Sequence, residues 1–293
     1  MADEKRPGRI ERAKATAQRG QMWVERQDPA SAPGVTIGWF RRYVAADGQL
    51  YAVLLTSYIF LTVLPAALVL DSYLDTNPNA LADHVVKRLG LHGSTEDLFR
   101  SVLQGAGGHK LTASLIALGS VALFGLGIGR VLQLAHARAW GLDLRKAKIR
   151  DQARYLQVLL AILAGVFLYA LEGKALKGSA SWVGWAISPL WLLAIFWFFV
   201  WAPRLLLHNR VPRRDIVPGA VFTLLGLLGM RIASHYLLVN WLEWYGKYYG
   251  GLGIVMALFF WVTILATVLV LAAALSPALA HRRDLRQERR AAA

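Results

Sequence analysis

Six apolar stretches of roughly twenty residues dominate this sequence and are separated by basic segments. An α-helix rises about 1.5 Å per residue, so each stretch is long enough to cross a hydrocarbon core about 30 Å thick. The pattern predicts an all-α, polytopic integral membrane protein with six transmembrane helices and excludes a compact soluble enzyme. The six stretches are Leu50–Leu70, Leu111–Leu134, Tyr155–Leu171, Ser181–Pro203, Gly219–Asn240 and Leu252–Ala280.

The distribution of Lys and Arg predicts the orientation of these helices. Of the 33 Lys and Arg residues, 25 fall in one set of alternating segments, which includes both termini, and 8 fall in the other set. Positive residues accumulate on the cytoplasmic side of membrane proteins, so we expect both termini to be cytoplasmic. The net charge of +15 is therefore a topology signal, and it requires no nucleic-acid partner.

Composition along the chain divides it into four parts. Residues 1–33 are polar and of mixed charge, typical of a cytosolic tail. Residues 34–49 interleave aromatic residues with Arg41 and Arg42, which favours an amphipathic helix at the headgroup level; the alternative is a plain linker. Residues 50–283 form the membrane domain, and 284–293 form a basic cytosolic tail. Within the membrane domain, glycines separate two near-helical patterns in residues 71–110, predicting an external helical hairpin over the outer face.

Arg231 is the most informative single residue, because it falls near the middle of the fifth stretch. An ionised Arg at that depth costs at least about 2.5–3.5 kcal/mol, so it should face protein or water. Ser234 and His235 follow at helical spacing, and Thr223 is predicted two turns earlier on the same stripe. A fixed positive charge inside a bundle suits the phosphate or carboxylate of an amphiphile. The alternative is a structural Arg that binds helix carbonyls or one carboxylate.

Three further features have both a functional and a structural interpretation. Arg130 ends a stretch with glycines at 125, 127 and 129, which either expose backbone to a substrate or, as we favour, permit close helix contact while Arg130 extends to the inner interface. Pro65 is either a gate hinge or a packing kink. Tyr249 and Gly250 belong to a glycine- and tyrosine-rich turn that either contacts a ligand or, as we favour, anchors the last helices at the outer interface.

The sequence offers little to an enzyme. The chain has no cysteine, which excludes thiol catalysis and cysteine-ligated metals. Its seven histidines are scattered without metal-binding spacing, and it has neither a phosphate-binding lysine loop nor a nucleophile elbow. We therefore expect no catalytic residue, no metal and no cofactor.

Several motifs resemble the YihY/BrkB family of bacterial inner-membrane proteins. They are Tyr58 and Pro65 in the first stretch, the run from Val211 through Asp215, Pro218 and Gly219, the pair Arg231 and Tyr236, and the Tyr249–Gly253 turn followed by Trp261. The resemblance covers about residues 35–283 and implies six helices with cytoplasmic termini. Families of this type have been labelled ribonuclease BN, a label that the missing metal motif argues against here. Envelope integrity, serum resistance and lipid transport have been proposed for members.

This chain departs from the family at one position. Many members end the last helix with Gly-Ala-Glu-x-Asn, whereas Ala272–Ser276 stands here and Ala274 replaces the acid. A mechanism that depends on that carboxylate does not transfer to this chain.

Two functional hypotheses follow from the sequence. The first is a plasma-membrane protein that moves or accommodates an anionic amphiphile through Arg231, with a basic inner face that attracts anionic lipid headgroups. The second is a non-transporting scaffold for the envelope. The sequence leaves open a homo-oligomer or an envelope protein as partner.

Overall fold

A computed structural model of the chain describes residues 22–23, 26–74, 110–143, 149–175 and 181–292, with isolated positions 83, 86, 93, 96, 97 and 100. Within the helices, the side chains of residues 64–74, 110–114, 116–117, 169–175, 181–188 and 251 lie outside this description. The side chain of Pro65 and most of the predicted external hairpin are therefore outside the described residues.

The described chain is built from helices, as the apolar stretches predicted. By length and composition, five helical stretches can cross a membrane, and a sixth is obtained if α1 and α2, which meet at 62°, form one span. The helices are α1 (Ala32–Ala45), α2 (Gly48–Leu74), α3 (Lys110–Ala139), α4 (Ile149–Ala175), α5 (Ser181–Leu206), α6 (Arg213–Ala233), a π-helical turn (Ser234–Leu238) and α7 (Val239–Ala291), which is interrupted at Gly250. Each of the six predicted spans falls within these elements.

Helix α1 leads into the bundle at a steep angle to α2. The Ser31 hydroxyl accepts a hydrogen bond from the Gly34 amide at 3.1 Å and so caps the first turn of α1. Further along, Trp39 Nε1 donates to the Leu271 carbonyl of α7 at 2.8 Å, and its ring meets Phe222 edge-on. Helix α1 is thus held against α6 and α7.

Glycines on α3 bring neighbouring helices into close contact. A Cβ at Gly127 would lie 2.3 Å from the Tyr58 ring of α2, and one at Gly129 would lie 2.8 Å from Tyr155 of α4. Tyr155 is itself only 1% exposed, within the main core. These contacts confirm that the α3 glycines serve close packing, as is common between helices in membranes.

Helices α6 and α7 cross tightly at Gly219. A Cβ there would lie 2.5 Å from Ser276 Oγ and 2.7 Å from the Ala272 carbonyl oxygen. The Gly219 amide donates to Ser276 Oγ at 3.0 Å, and that hydroxyl donates to the Ile216 carbonyl at 3.3 Å. Glycine is required here because the two backbones approach each other through the space that a side chain would fill.

Pro218, beside this crossing, frees a backbone carbonyl at the start of α6. A proline has no N–H to bond the carbonyl four residues earlier, which here belongs to Arg214. Arg283 of α7 approaches that oxygen with Nη2 at 3.4 Å and also contacts the Asp215 carboxylate at 3.0 Å. One arginine therefore compensates the proline and pairs with the acidic residue in the first turn.

A reversal at Gly250 connects the two longest helical stretches, Arg213–Gly250 and Leu252–Ala291. Gly250 has φ 61° and ψ −141°, a conformation that favours glycine, and a Cβ on Gly253 would lie 2.0 Å from the Tyr245 carbonyl oxygen. This confirms the predicted tight turn. Val86 of the loop between α2 and α3 is buried here with Leu242 and Ile254, so part of that loop contacts the outer end.

The two ends of the described chain meet at the opposite, inner end of the bundle. Arg289 binds the Asp28 carboxylate with two hydrogen bonds of 2.7 and 2.8 Å, and Arg282 donates to the Ala30 carbonyl at 2.9 Å. The hydrogen bond from Arg289, aided by the Ala30 amide, lowers the pKa of Asp28 from 3.8 to about 2. We call these contacts the terminal clasp.

The Gly219 crossing predicts that substitution of this glycine destabilises the fold. In Gly219→Val, the new side chain overlaps Ser276 and Ala272, and overpacking of this kind costs about 1–3 kcal/mol. Thermal unfolding of the purified protein should show a lower midpoint. Gly229→Ala in the same helix is the control, because a Cβ there meets nothing within 4 Å. Equal midpoints for Gly219→Val and the wild type would contradict the close crossing.

The terminal clasp predicts a local change with pH. Because the Asp28 pKa is lowered in the folded state, the clasp is at full strength above about pH 4 and is lost as the pH falls toward 2. The chain has no native cysteine, so spin labels at Arg26→Cys and Gln287→Cys report on this contact alone. We expect the distribution of distances between the two labels to broaden at neutral pH when Asp28→Asn is added. In the labelled protein that keeps Asp28, the distribution should broaden only at strongly acidic pH. An unchanged narrow distance in Asp28→Asn would exclude the clasp.

Candidate functional site

Arg231 lies on the exposed surface of α6 and not inside the bundle, which corrects the expectation from the sequence, and no described residue pairs with it. It lies about 18 Å along the helix axis from Gly219, as judged from the rise per residue. The predicted span Gly219–Asn240 would place this position in the outer half of a hydrocarbon core about 30 Å thick. We therefore expect this exposed cation at a depth where water is scarce.

The π-helical turn begins three residues after Arg231. Ser234 Oγ donates to the Arg231 carbonyl at 2.8 Å, so this hydroxyl is used within the helix. His235 is exposed, and its ring meets Tyr236 edge-on at 5.1 Å. Single π-helical turns occur frequently at functional sites. Arg231 and His235 therefore form an exposed pair beside a local widening of the helix.

Thr223 does not belong to this pair, so the predicted four-residue stripe is wrong in this respect. Thr223 is buried, with 3% exposure, whereas Arg231 is exposed. At 3.6 residues per turn, eight residues leave two side chains about 80° apart, enough to place one inside the bundle and one outside. The sequence offers Asp71, Glu172 and Glu243 as possible counter-ions of Arg231, and the side chains of Asp71 and Glu172 lie outside the described residues. Glu243 lies about 18 Å further along the helix.

Thr223 instead lines a cleft between α3, α5, α6 and α7. The cleft is lined mostly by apolar side chains, which include Phe198 and Leu269. Its polar residues are His136, Thr223 and Ser276. Because Gly219 and Ser276 both line the cleft, the cleft borders the contact that joins α6 and α7.

Arg130 takes part in a buried polar network rather than extending freely to the interface. Its Nη1 donates to Tyr155 Oη at 3.1 Å and approaches Gln133 Oε1 at 3.5 Å. The Tyr155 hydroxyl also donates to Gln133, whose Nε2 donates to the Leu206 carbonyl at 2.8 Å. Helices α3, α4 and α5 are thus joined through polar groups. The expectation that Arg130 extends to the inner interface is corrected, because Tyr155 and Gln133 hold its guanidinium.

A second network lies at the inner end, and no spacing of residues in the sequence predicts it. Asp151 of α4 binds His208 at 2.7 Å and Arg154 at 2.9 Å. His208 and Asn209 both have φ 58° in the short turn between α5 and α6. Asn and His adopt this left-handed conformation more readily than most side chains. Asp151 thereby fixes a turn that is 57 residues away in sequence.

The remaining motif residues hold structural positions in the described chain. The Tyr58 ring packs on Gly127, Asp215 pairs with Arg283, and Trp261 meets Trp241 edge-on at 6.5 Å. Tyr249 is exposed beside the Gly250 turn. Among the described residues, no group of three or more His, Cys, Asp or Glu side chains is arranged to hold a metal ion.

The network around Gln133 predicts a stability effect. Gln133→Met has a similar volume but removes the partner of Tyr155, Arg130 and the Leu206 carbonyl, and buried polar groups left unsatisfied cost about 1–3 kcal/mol. The thermal midpoint should fall. Gln157→Met, on the exposed side of α4, should leave it unchanged. If both variants unfold like the wild type, the network does not contribute to stability.

Comparison with known proteins assigns the chain to a family. No curated protein and no solved structure matches it. The sequence profile of the family described as Virulence factor BrkB matches residues 39–293, which include all of α2 to α7. This confirms the resemblance drawn from the motifs. The chain is a multi-pass, all-α membrane protein that belongs to the virulence factor BrkB family.

Proposed function

We propose that this protein resides in the bacterial plasma membrane and binds or moves an anionic amphiphile, such as a phospholipid or a lipid-linked intermediate, through Arg231. The observation that carries the proposal is the placement of Arg231. Arg231 is on the exposed surface of α6 without a partner among the described residues, and the predicted span would place it in the outer half of the apolar zone.

The direction of α6 makes it harder for the Arg231 guanidinium to reach the outer headgroup region. Side chains of an α-helix tilt toward its N-terminus, and α6 begins at the inner end. The Arg231 side chain therefore leaves the helix toward the membrane interior, away from the nearer, outer headgroup region. To reach the outer headgroup region, the Arg231 side chain would have to bend against this tilt. An anionic headgroup drawn to Arg231 compensates the charge where it lies, and the exposed His235 supplies a second polar group one helical turn away.

The terminal clasp supports a second candidate function, that of a membrane scaffold. Arg282, Arg286 and Arg289 bind the segment that precedes α1, so the two ends form one ordered surface at the inner face. A surface of this kind suits the recruitment of an envelope protein. In this case the clasp would be required and Arg231 would be dispensable.

Reconstitution into liposomes tests the transport proposal. We expect the full chain to accelerate movement of a fluorescent phosphatidylglycerol between leaflets over protein-free vesicles. Arg231→Ala should lower this rate by about tenfold or more, because a hydrogen bond to a charged group contributes about 1.5–3 kcal/mol. Arg231→Lys should retain part of the rate, since the charge remains without the planar fork of donors.

The matched control is Arg214→Ala, which removes an exposed cation at the start of the same helix and should leave the rate unchanged. Equal rates for wild type and Arg231→Ala would remove Arg231 from the mechanism. Rates no higher than those of empty vesicles for every anionic lipid tested would overturn the transport proposal. Complementation in cells by Arg231→Ala, but not by Asp28→Asn, would favour the scaffold.

A further inference from the structure

The exposed face of α5 changes character in a regular order toward its inner end. Leu190 and Leu193 are 65% and 60% exposed, Trp197 and Trp201 follow at 53% and 37%, and Arg204 comes next. Spacings of three, four, four and three residues keep all five side chains on one side of a helix. The face runs from hydrocarbon side chains, through indole rings, to a guanidinium over about 21 Å.

A second arginine joins this face from the neighbouring helix. Arg213, the first residue of α6, places its guanidinium carbon 5.6 Å from the centre of the Trp197 ring. A guanidinium in a cation–π contact keeps its positive charge and its N–H donors available to an anion. Two positive groups thus flank exposed tryptophans at the inner end of the bundle.

Neither arginine has an anionic partner within the described chain. The adjacent Arg214 and the nearby Arg283 both contact Asp215, whereas no described carboxylate lies within ion-pair distance of Arg204 or Arg213. The Nε atom of Arg204 is buried without a hydrogen-bond acceptor. Such a group is costly unless a compensating charge lies nearby.

We propose that this face is a binding site for one anionic phospholipid of the cytoplasmic leaflet. The acyl chains would lie along Leu190 and Leu193, the glycerol esters would be level with Trp197 and Trp201, and the phosphate would contact Arg204 and Arg213. Along α5, apolar side chains, indole rings and a guanidinium follow one another in the same order as the acyl chains, the glycerol esters and the phosphate of a phospholipid. Indole rings favour the interface between the apolar and polar parts of the lipid. This site is separate from Arg231 and does not depend on the proposed transport.

Native mass spectrometry of the full chain tests the site, using micelles that contain phosphatidylglycerol and phosphatidylcholine in equal amounts. We expect the wild type to retain one phosphatidylglycerol in preference to phosphatidylcholine. The double variant Arg204→Gln/Arg213→Gln should bind it about tenfold more weakly, a change of about 1.4 kcal/mol. The matched control is Arg210→Gln/Arg214→Gln, which removes the same charge from the same end and should bind like the wild type.

Several outcomes would overturn this site. Equal loss in both double variants would indicate diffuse surface charge, and equal retention of the two lipids by the wild type would exclude recognition of the anionic headgroup. Displacement of the lipid by millimolar inorganic phosphate would show an anion site without a lipid requirement. Should the double variant fail to fold, the exposed single variant Arg213→Gln must still weaken binding for the proposal to stand. Arg231→Ala should leave this binding unchanged, so the result is independent of the transport assay.

Discussion

The contact between α6 and α7 at Gly219 and Ser276 is the constraint on which the rest of the arrangement depends. Inside a bilayer the lipid tails are as apolar as leucine, so helices associate through close packing and hydrogen bonds instead of hydrophobic burial. Gly219 supplies both, because it lets the backbones approach and donates its amide to Ser276. The same approach requires Arg283 to lie near Pro218, where it bonds the carbonyl that the proline leaves free.

The register set by this crossing determines what α7 presents at the inner end. Arg282, Arg286 and Arg289 recur at intervals of four and three residues, which places them on one face of the helix extension. That face meets Asp28 and Ala30, while Arg283 faces Asp215. A slip of one residue along α7 would turn these side chains by about 100° and separate both sets of contacts. The terminal clasp is thus a consequence of packing inside the membrane.

The helices could be predicted from sequence because the bilayer permits few alternatives. A lipid-exposed backbone must satisfy its hydrogen bonds internally, so an apolar stretch such as Ile254–Ala280, which carries no charge, is helical almost by necessity. The faces of these helices could not be predicted as well, since lipid-facing and bundle-facing residues are equally apolar. For this reason helical spacing predicts Thr223 and Arg231 on one stripe, although Thr223 is buried and Arg231 is exposed.

Polar contacts between residues far apart in the sequence could not be predicted either. Asp151 and His208 are 57 positions apart, and Asp28 and Arg289 are 261 apart. Their pairing depends on the order in which the helices pack, and no local spacing encodes that order. The glycines of α3 were interpreted correctly because close helix contact requires only a small residue on each turn, a property visible in the sequence alone.

The partners of the arginines separate structural cations from those that require something outside the chain. Arg154, Arg283 and Arg289 each meet an aspartate at the inner end, where water reduces the energetic consequence of losing the pair. Arg204, Arg213 and Arg231 have no such partner among the described residues, and the predicted span would place Arg231 at a depth where water is scarce. The free energy of an uncompensated charge rises steeply with depth in the bilayer, so the need for an external anion is greatest at Arg231. At the inner interface an anionic lipid improves on solvation that water already provides, whereas at Arg231 it replaces solvation that the hydrocarbon cannot supply.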